Sequence, residues 1–307
     1  MVGELPSKHI VFSCSSLNSL VISLPHPSSP HAQLAINEAN TLSRCPAGLV
    51  SEKTEFLYRS YLALGQYHII LSEIKDVAAT PVGLRAVKFL AQYLSDNSQK
   101  DAALAQVQEW LADMSVSSNS LKLIAAVLYM HDDNMKDALK AIKNPTDLEQ
   151  HALTTQIYLR MDRLDLAQRQ LKSMRAVDED STLTQLTTAW IHLSTPGKAQ
   201  DASYIFEELS DKHGASAMLL NGLAVSKMHQ ASFEEAETLL QEAMGKASSD
   251  PDTLANLICV SQHLSRAPEV VGRYLAQLKA KAPTHQLVTT LGTFEGAYDR
   301  VAATLRT

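Results

Sequence analysis

At 307 residues, 45% of them hydrophobic and only 20% charged, the chain is long for one compact core yet rich enough in apolar side chains to bury a continuous interior. Its net charge of −6 excludes a nucleic-acid binder that works through a basic stripe, and equally excludes direct attraction to anionic lipid. No apolar run reaches the roughly 20 residues of a membrane-spanning helix, and Cys14, Cys45 and Cys259 are far apart and odd in number, which fits a reducing compartment without disulfides or metal-ligand spacing.

Residues 1–31 differ from everything after them. Ile10 to Leu24 is rich in serine and β-branched residues, and Pro25, Pro27 and Pro30 break any regular element. Lys8 before an apolar stretch has the outline of a secretory signal, but the serines dilute that stretch and Glu4 sits in its basic region. The segment is predicted to be an atypical, disordered leader, or a replacement for the first helix of a repeat. Residues 32–307 are predicted to form one helical domain.

That domain begins with a single helix, His31 to Ser43, with Leu34, Ala35 and Ala39 on one side. Glu52 to Leu64 and Tyr67 to Asp76 form a helix pair joined at Gly65-Gln66. Val82 to Leu94 and Asp101 to Leu111 follow, then a pair within Asn119 to Lys143 that turns at Asp132-Asp133-Asn134. Leu148 to Met161 and Leu164 to Met174 turn at Asp162-Arg163. The acidic cluster Asp178-Glu179-Asp180-Ser181 precedes the helix Thr182 to Leu193 and is read as its cap, since carboxylates favour a helix N-terminus. Thr195-Pro196-Gly197 turns the chain into Ala199 to Ser210. The stretch Ala217 to Pro251 holds the next pair, and Pro251 to Leu264 with Pro268 to Ala280 makes the last. One more helix, His285 to Leu305, caps the end.

The pairs share a register. In Ala217 to Pro251 the small Ala224 and Ala236 allow close helix approach, Phe233 is large beside the turn, and Pro251 follows the second helix. This is the tetratricopeptide pattern at a period of about 34 residues. From Ala236 back to Ala202 is 34 residues, from Ala202 to Ala167 is 35, and from Ala167 to Ala138 only 29, so one repeat is shortened; Val270 continues the step forward. The expected fold is all-α, a right-handed α-solenoid of tetratricopeptide-like helix pairs.

Chemistry is sparse. The sequence has no glycine-rich phosphate loop, zinc-binding helix or nucleophile elbow, and its histidines are scattered. No catalytic residue, cofactor site or metal site is expected. His131, His229 and His263 are read as ordinary late-helix residues. Glu234, Glu235 and Glu237 are read as an exposed first turn, and Trp110 and Trp190 as core. Function in such a stack is expected on the surface lined by first helices. The inward positions there read Val127 and Met130, Gln156 and Leu159, Trp190 and Leu193, Val225 and Met228, and Cys259 and Gln262. Val127, Met130, Leu159, Trp190, Leu193, Val225 and Met228 predict a partner-binding groove for an apolar helix or helical hairpin. The competing reading buries these residues inside the repeats.

Three stretches carry a more specific resemblance: LAQYLSDNSQKDAALAQVQEWLAD from Leu90, DEDSTLTQLTTAWIHL from Asp178, and FEEAETLLQEAMGKASSDPDTLANLICVSQHL from Phe233. Together, in order, they resemble the epsilon subunit family of coatomer, the COPI vesicle coat, from about Gln33 onward. The resemblance implies a non-catalytic structural subunit that clasps the C-terminal region of coatomer's alpha subunit. It implies a role in Golgi-to-ER retrograde and intra-Golgi transport, in the cytoplasm and peripherally on Golgi membranes and COPI-coated vesicles, with membrane association supplied by other subunits. The departure is at the start, where the family has a helix and this chain has its serine- and proline-rich leader. Two other readings stay open here. One is a chaperone-type adaptor that binds C-terminal peptides and would need lysines and asparagines such as Asn221 and Asn256 on first helices. The other is a regulatory subunit of an enzyme complex.

Overall fold

A computed structural model describes residues 30–41, 50–74, 80–95, 100–112, 118–248 and 250–305. The leader through residue 29 lies outside them. Among the described residues there are α-helices and no strand. The helices gather into two units that divide between Ser194 and Thr195.

The first unit runs α1 (Pro30–Thr41), α2 (Val50–Ala63), α3 (Tyr67–Glu73), α4 (Val82–Ser95), α5 (Lys100–Ala112), α6 (Asn119–His131), α7 (Met135–Ala141), α8 (Leu148–Arg160), α9 (Leu164–Val177) and α10 (Thr182–Ser194). Its first helices, α2, α4, α6, α8 and α10, pack one on the next in chain order, and each second helix described covers its own first helix. A first helix in this stack has neighbours on several sides, so α6 is buried without a break from Leu123 to Met130. The core gathers Leu84, Val87 and Leu90 of α4 with Leu121, Ile124 and Leu128 of α6 and Leu153 and Ile157 of α8. At its edge the half-buried Trp110 meets Phe89 edge-on, centroids 4.9 Å apart, while Arg85 lies over the indole at 4.9 Å.

The second unit runs α11 (Ala199–His213), α12 (Ala217–His229), α13 (Phe233–Lys246), α14 (Pro251–His263), α15 (Pro268–Lys281) and α16 (Gln286–Leu305). Here α12 packs against α11, α13 and α14, and α14 against α13 and α15. Ala224 and Ala236 are both fully buried, as their small size at a close helix crossing requires. Gly222 of α12 makes an even closer approach. A Cβ there would stand 2.5 Å from the ring of Phe206 on α11.

Among the described residues, the turn from first to second helix is the same device each time. One residue takes the left-handed conformation: Gly65, Asp133, Asp162, Gly197, Ala231 and Ser265. From Asp133 onward these positions lie 29, 35, 34 and 34 residues apart, so the backbone repeats with the spacing of the sequence, shortened step included. The shortening falls on α7, only 7 residues long where α9 has 14. In most of these turns the next N–H reaches back five residues, as in Asn134 N–H to Tyr129 O (2.8 Å), Arg163 to Tyr158 (2.8 Å) and Ser232 to Lys227 (3.0 Å). These bonds satisfy carbonyls that a helix end leaves without partners. Ala231 holds φ +61° with a Cβ that disfavours it. Ala231→Gly is therefore expected to raise the unfolding free energy by about 0.5–1 kcal/mol, the relief of strain exceeding the added freedom of the unfolded chain. A urea midpoint that fell instead would contradict this reading of the turn.

One local reading of the sequence is corrected and a second is narrowed to one residue. In α1 Ala32, Ile36 and Ala39 are buried and Ala35 is exposed, so of the expected stripe Ala39 faces inward and Ala35 does not, while the side chain of Leu34 lies outside what is described. Within the cluster Asp178-Glu179-Asp180-Ser181 the residue that caps α10 is Ser181, whose Oγ accepts from Thr184 N–H at 3.2 Å. Asp178 instead accepts from Asp180 N–H at 3.1 Å, and the three carboxylate residues are exposed. A serine hydroxyl at the cap position reaches the N–H three residues on, which the carboxylates before it do not. Elsewhere Ser118, Asn134, Ser216 and Asp250 cap α6, α7, α12 and α14.

Candidate partner-binding surface

The inward positions of the first helices are mostly filled by packing within the chain. In the first unit Val127 and Met130 of α6 belong to the core, exposed by 2% and 1%, and Trp190 and Leu193 of α10 are buried as well. Leu159 of α8 is half-buried and packs, with Tyr158 and Leu164, on Ala167, Leu171 and Ile191. In the second unit Val225 and Met228 of α12 and Cys259 of α14 retain 7–8% of their surface, and Met228 and Cys259 share a core cluster. Gln262 is exposed. The row thus shows solvent the edges of several side chains, with Leu159 and Gln262 reaching furthest. Burial pushes the Cys259 thiol up to about 11, so it stays protonated and unreactive.

Gln156 breaks the apolar row. It is fully buried on α8, and among the described residues neither its Oε1 nor its Nε2 has a hydrogen-bond partner. A buried amide without partners forfeits its hydration for nothing. Gln156→Leu is expected to stabilise the first unit by about 1–2 kcal/mol, read as a rise in melting temperature. An unchanged or lower melting temperature would mean that the amide has a partner, such as a buried water. Only the position was legible in the sequence; the missing partner was not.

The asparagines that could have served a peptide-carboxylate clamp are committed elsewhere. Asn221 Nδ2 donates to Ala217 O at 3.0 Å, to Asp250 Oδ2 at 3.2 Å and to Thr253 Oγ1 at 2.5 Å. Asn256 Nδ2 donates to Asn221 Oδ1 at 3.2 Å. Asp250 also accepts from Thr253 N–H at 2.9 Å and from the Thr253 hydroxyl. All four residues are buried, and the network pins α12 to the start of α14. Lys227, on the same first helix, sits 3.0 Å from Glu235 and 3.9 Å from Glu207. These groups stabilise helix packing, and they do not form a free cradle for a carboxylate. The acidic start of α13 is likewise structural: Glu234 and Glu235 are exposed, and Glu237 pairs with Arg266 at 2.6 Å.

Among the described residues no group of three His, Cys, Asp or Glu side chains is arranged to hold a metal ion. No described helix is long and apolar enough to cross a membrane.

Comparison with known proteins agrees with this geometry. The fold matches a tetratricopeptide repeat protein from Parabacteroides merdae, with a TM-score of 0.59 at 13% identity over 86% of this chain and 98% of that one. It also matches a chain of a crystallised APC/C hetero-tetramer, with a TM-score of 0.58 at 16% identity over 86% of this chain and 55% of that one. The architecture is an all-α solenoid of tetratricopeptide-like pairs. In sequence, the family described as coatomer epsilon subunit matches residues 31–306. Coatomer subunit epsilon-1 of Arabidopsis thaliana is 42% identical over 87% of this chain and 90% of its own length. Coatomer subunit epsilon of Caenorhabditis elegans is 34% identical over 89% and 94%, and that of Dictyostelium discoideum 33% over 87% and 92%. Coatomer epsilon subunits are structural components of the COPI vesicle coat, not enzymes. With the family matched across nearly all of its length and relatives this similar over most of theirs, the chain belongs to the coatomer epsilon subunit family.

Proposed function

We propose that the chain serves the COPI coat by clasping the C-terminal region of coatomer's alpha subunit and stabilising it there. In this reading it acts in Golgi-to-ER retrograde and intra-Golgi vesicle transport. It is brought to Golgi membranes and COPI-coated vesicles by the other subunits, from the cytoplasm. Membership of the coatomer epsilon family carries the reading. The commitment of Asn221, Asn256 and Lys227 to internal bonds favours it over a chaperone-type peptide adaptor.

Of the expected row, the partner-binding residues are those that keep an edge in solvent: Leu159, with Trp190 and Leu193, in the first unit, and Val225 and Met228 in the second, while Val127 and Met130 stay in the core. The test is co-purification of the full chain with the alpha subunit's C-terminal region at high salt, where apolar contacts persist and exposed ion pairs are screened. Stable co-elution supports the reading. Its absence, or capture of a chaperone C-terminal peptide in its place, would overturn it. Leu159→Arg should weaken that complex while leaving helix content intact, because the side chain already reaches solvent.

A further inference from the structure

The C-terminal helix α16 keeps step with the first helices before it, and one face of it is left uncovered. Counted from the helix start, Phe294 is the ninth residue of α16, the place that Cys259 holds in α14 and Val225 in α12, each 8% exposed, yet Phe294 itself is 66% exposed. Tyr298, 74% exposed, and Val301, 58% exposed, follow four and seven residues later, on the same face. Earlier on the helix Leu287 and Val288 pack against the core of the second unit. A stripe that begins as core therefore runs out into solvent. Among the described residues no later helix covers this face, which shows two aromatic rings.

We propose that the Phe294, Tyr298 and Val301 face of α16 is a docking surface for an amphipathic helix of a different chain, one with lysine or arginine along one edge. The repeat positions argue for a helix. In α12 and α14 the equivalent faces are covered by helices of this chain, and a helix supplied by another chain would continue that packing. Charge argues for the basic edge. Glu295 and Asp299 are exposed and lie one turn apart along one border of the stripe, and Glu295 already attracts Lys279 at 3.7 Å.

Area argues against a second copy of this chain. At roughly 150–250 Å² per aromatic side chain, the patch offers on the order of 400 Å². Two copies would bury about 800 Å², below the roughly 1,200–2,000 Å² of a stable pair. An antiparallel pairing would also set each acidic border against itself. A partner already held in the same coat needs no larger patch, because tethering raises its local concentration. In this respect the proposal rests on the coat reading.

The test uses coatomer assembled without this subunit as the probe, with the full-length chain added back. Phe294→Asp combined with Tyr298→Asp should weaken rejoining at least tenfold while helix content and melting temperature stay unchanged. Glu295→Lys combined with Asp299→Lys should weaken it as well. A photo-crosslinker at position 298 should join a basic amphipathic helix of another coat subunit. Unchanged affinity in the aromatic variant, tighter binding by the charge-reversed variant, or a crosslink between two copies of this chain would each overturn the proposal. Failure of the wild-type chain to rejoin at all would bring down the coat reading, and this surface with it.

Discussion

Gly222→Ala is expected to lower the unfolding free energy of the second unit by about 1–3 kcal/mol, although alanine is the better helix former. The new methyl would stand 2.5 Å from Cε1 and 2.6 Å from Cζ of Phe206. That ring is 1% exposed, so it has no solvent to swing into. The helix-propensity gain, about 1 kcal/mol, is smaller than the cost of forcing a packed core apart. Urea unfolding of four proteins decides the matter: wild type, Gly222→Ala, Phe206→Leu and the double variant. With the ring removed the methyl should be neutral or stabilising, so the two changes couple with opposite sign to their single effects. Simple additivity would mean that the close approach is not what requires glycine.

Asn221→Leu is expected to cost about 2–4 kcal/mol, although leucine matches asparagine in size and favours a helix. Its amide bridges Asp250 and Thr253 and accepts from Asn256, all buried. Removing it leaves a carboxylate and an amide short of partners in a site that water does not reach. Amide hydrogen exchange should show the loss at the first turn of α14, where Asp250 holds Thr253 N–H. Faster exchange confined to α12 would instead mean that the network serves that helix alone.

These two sites mark what the sequence shows and what it hides. The period is written in residues that recur along the chain, so the turns at Asp133, Asp162, Gly197, Ala231 and Ser265 fall where the counting predicts, short step included. Contacts between helices are not periodic. Nothing in the spacing pairs Gly222 with Phe206, sixteen residues earlier on another helix, or Asn221 with Asp250. Phase is hard to read in a short alanine-rich helix, which is why Ala32 and Ile36 of α1 are buried where Ala35 is not.

The inward row was harder still. Periodicity assigns each amphipathic helix one buried face. A first helix in a stack is flanked on several sides, and α14 is buried at every residue from Asp252 to Ser261. An inward position on such a helix is core and partner surface at once, and only the packing around Leu159, Val225 or Met228 shows the share of each. The sequence predicts α16 only as a capping helix, and which half of its apolar face stands uncovered is set by the packing.

The buried thiol of Cys259 makes the chain its own clock. A maleimide or iodoacetamide reaches that sulfur only when α14 parts from its neighbours. The rate at which the Cys259 peptide gains mass then reports how often this part of the protein breathes open. Followed by peptide-resolved mass spectrometry in the free chain and within the coat, that rate would measure how far assembly quiets the second unit, with no residue changed.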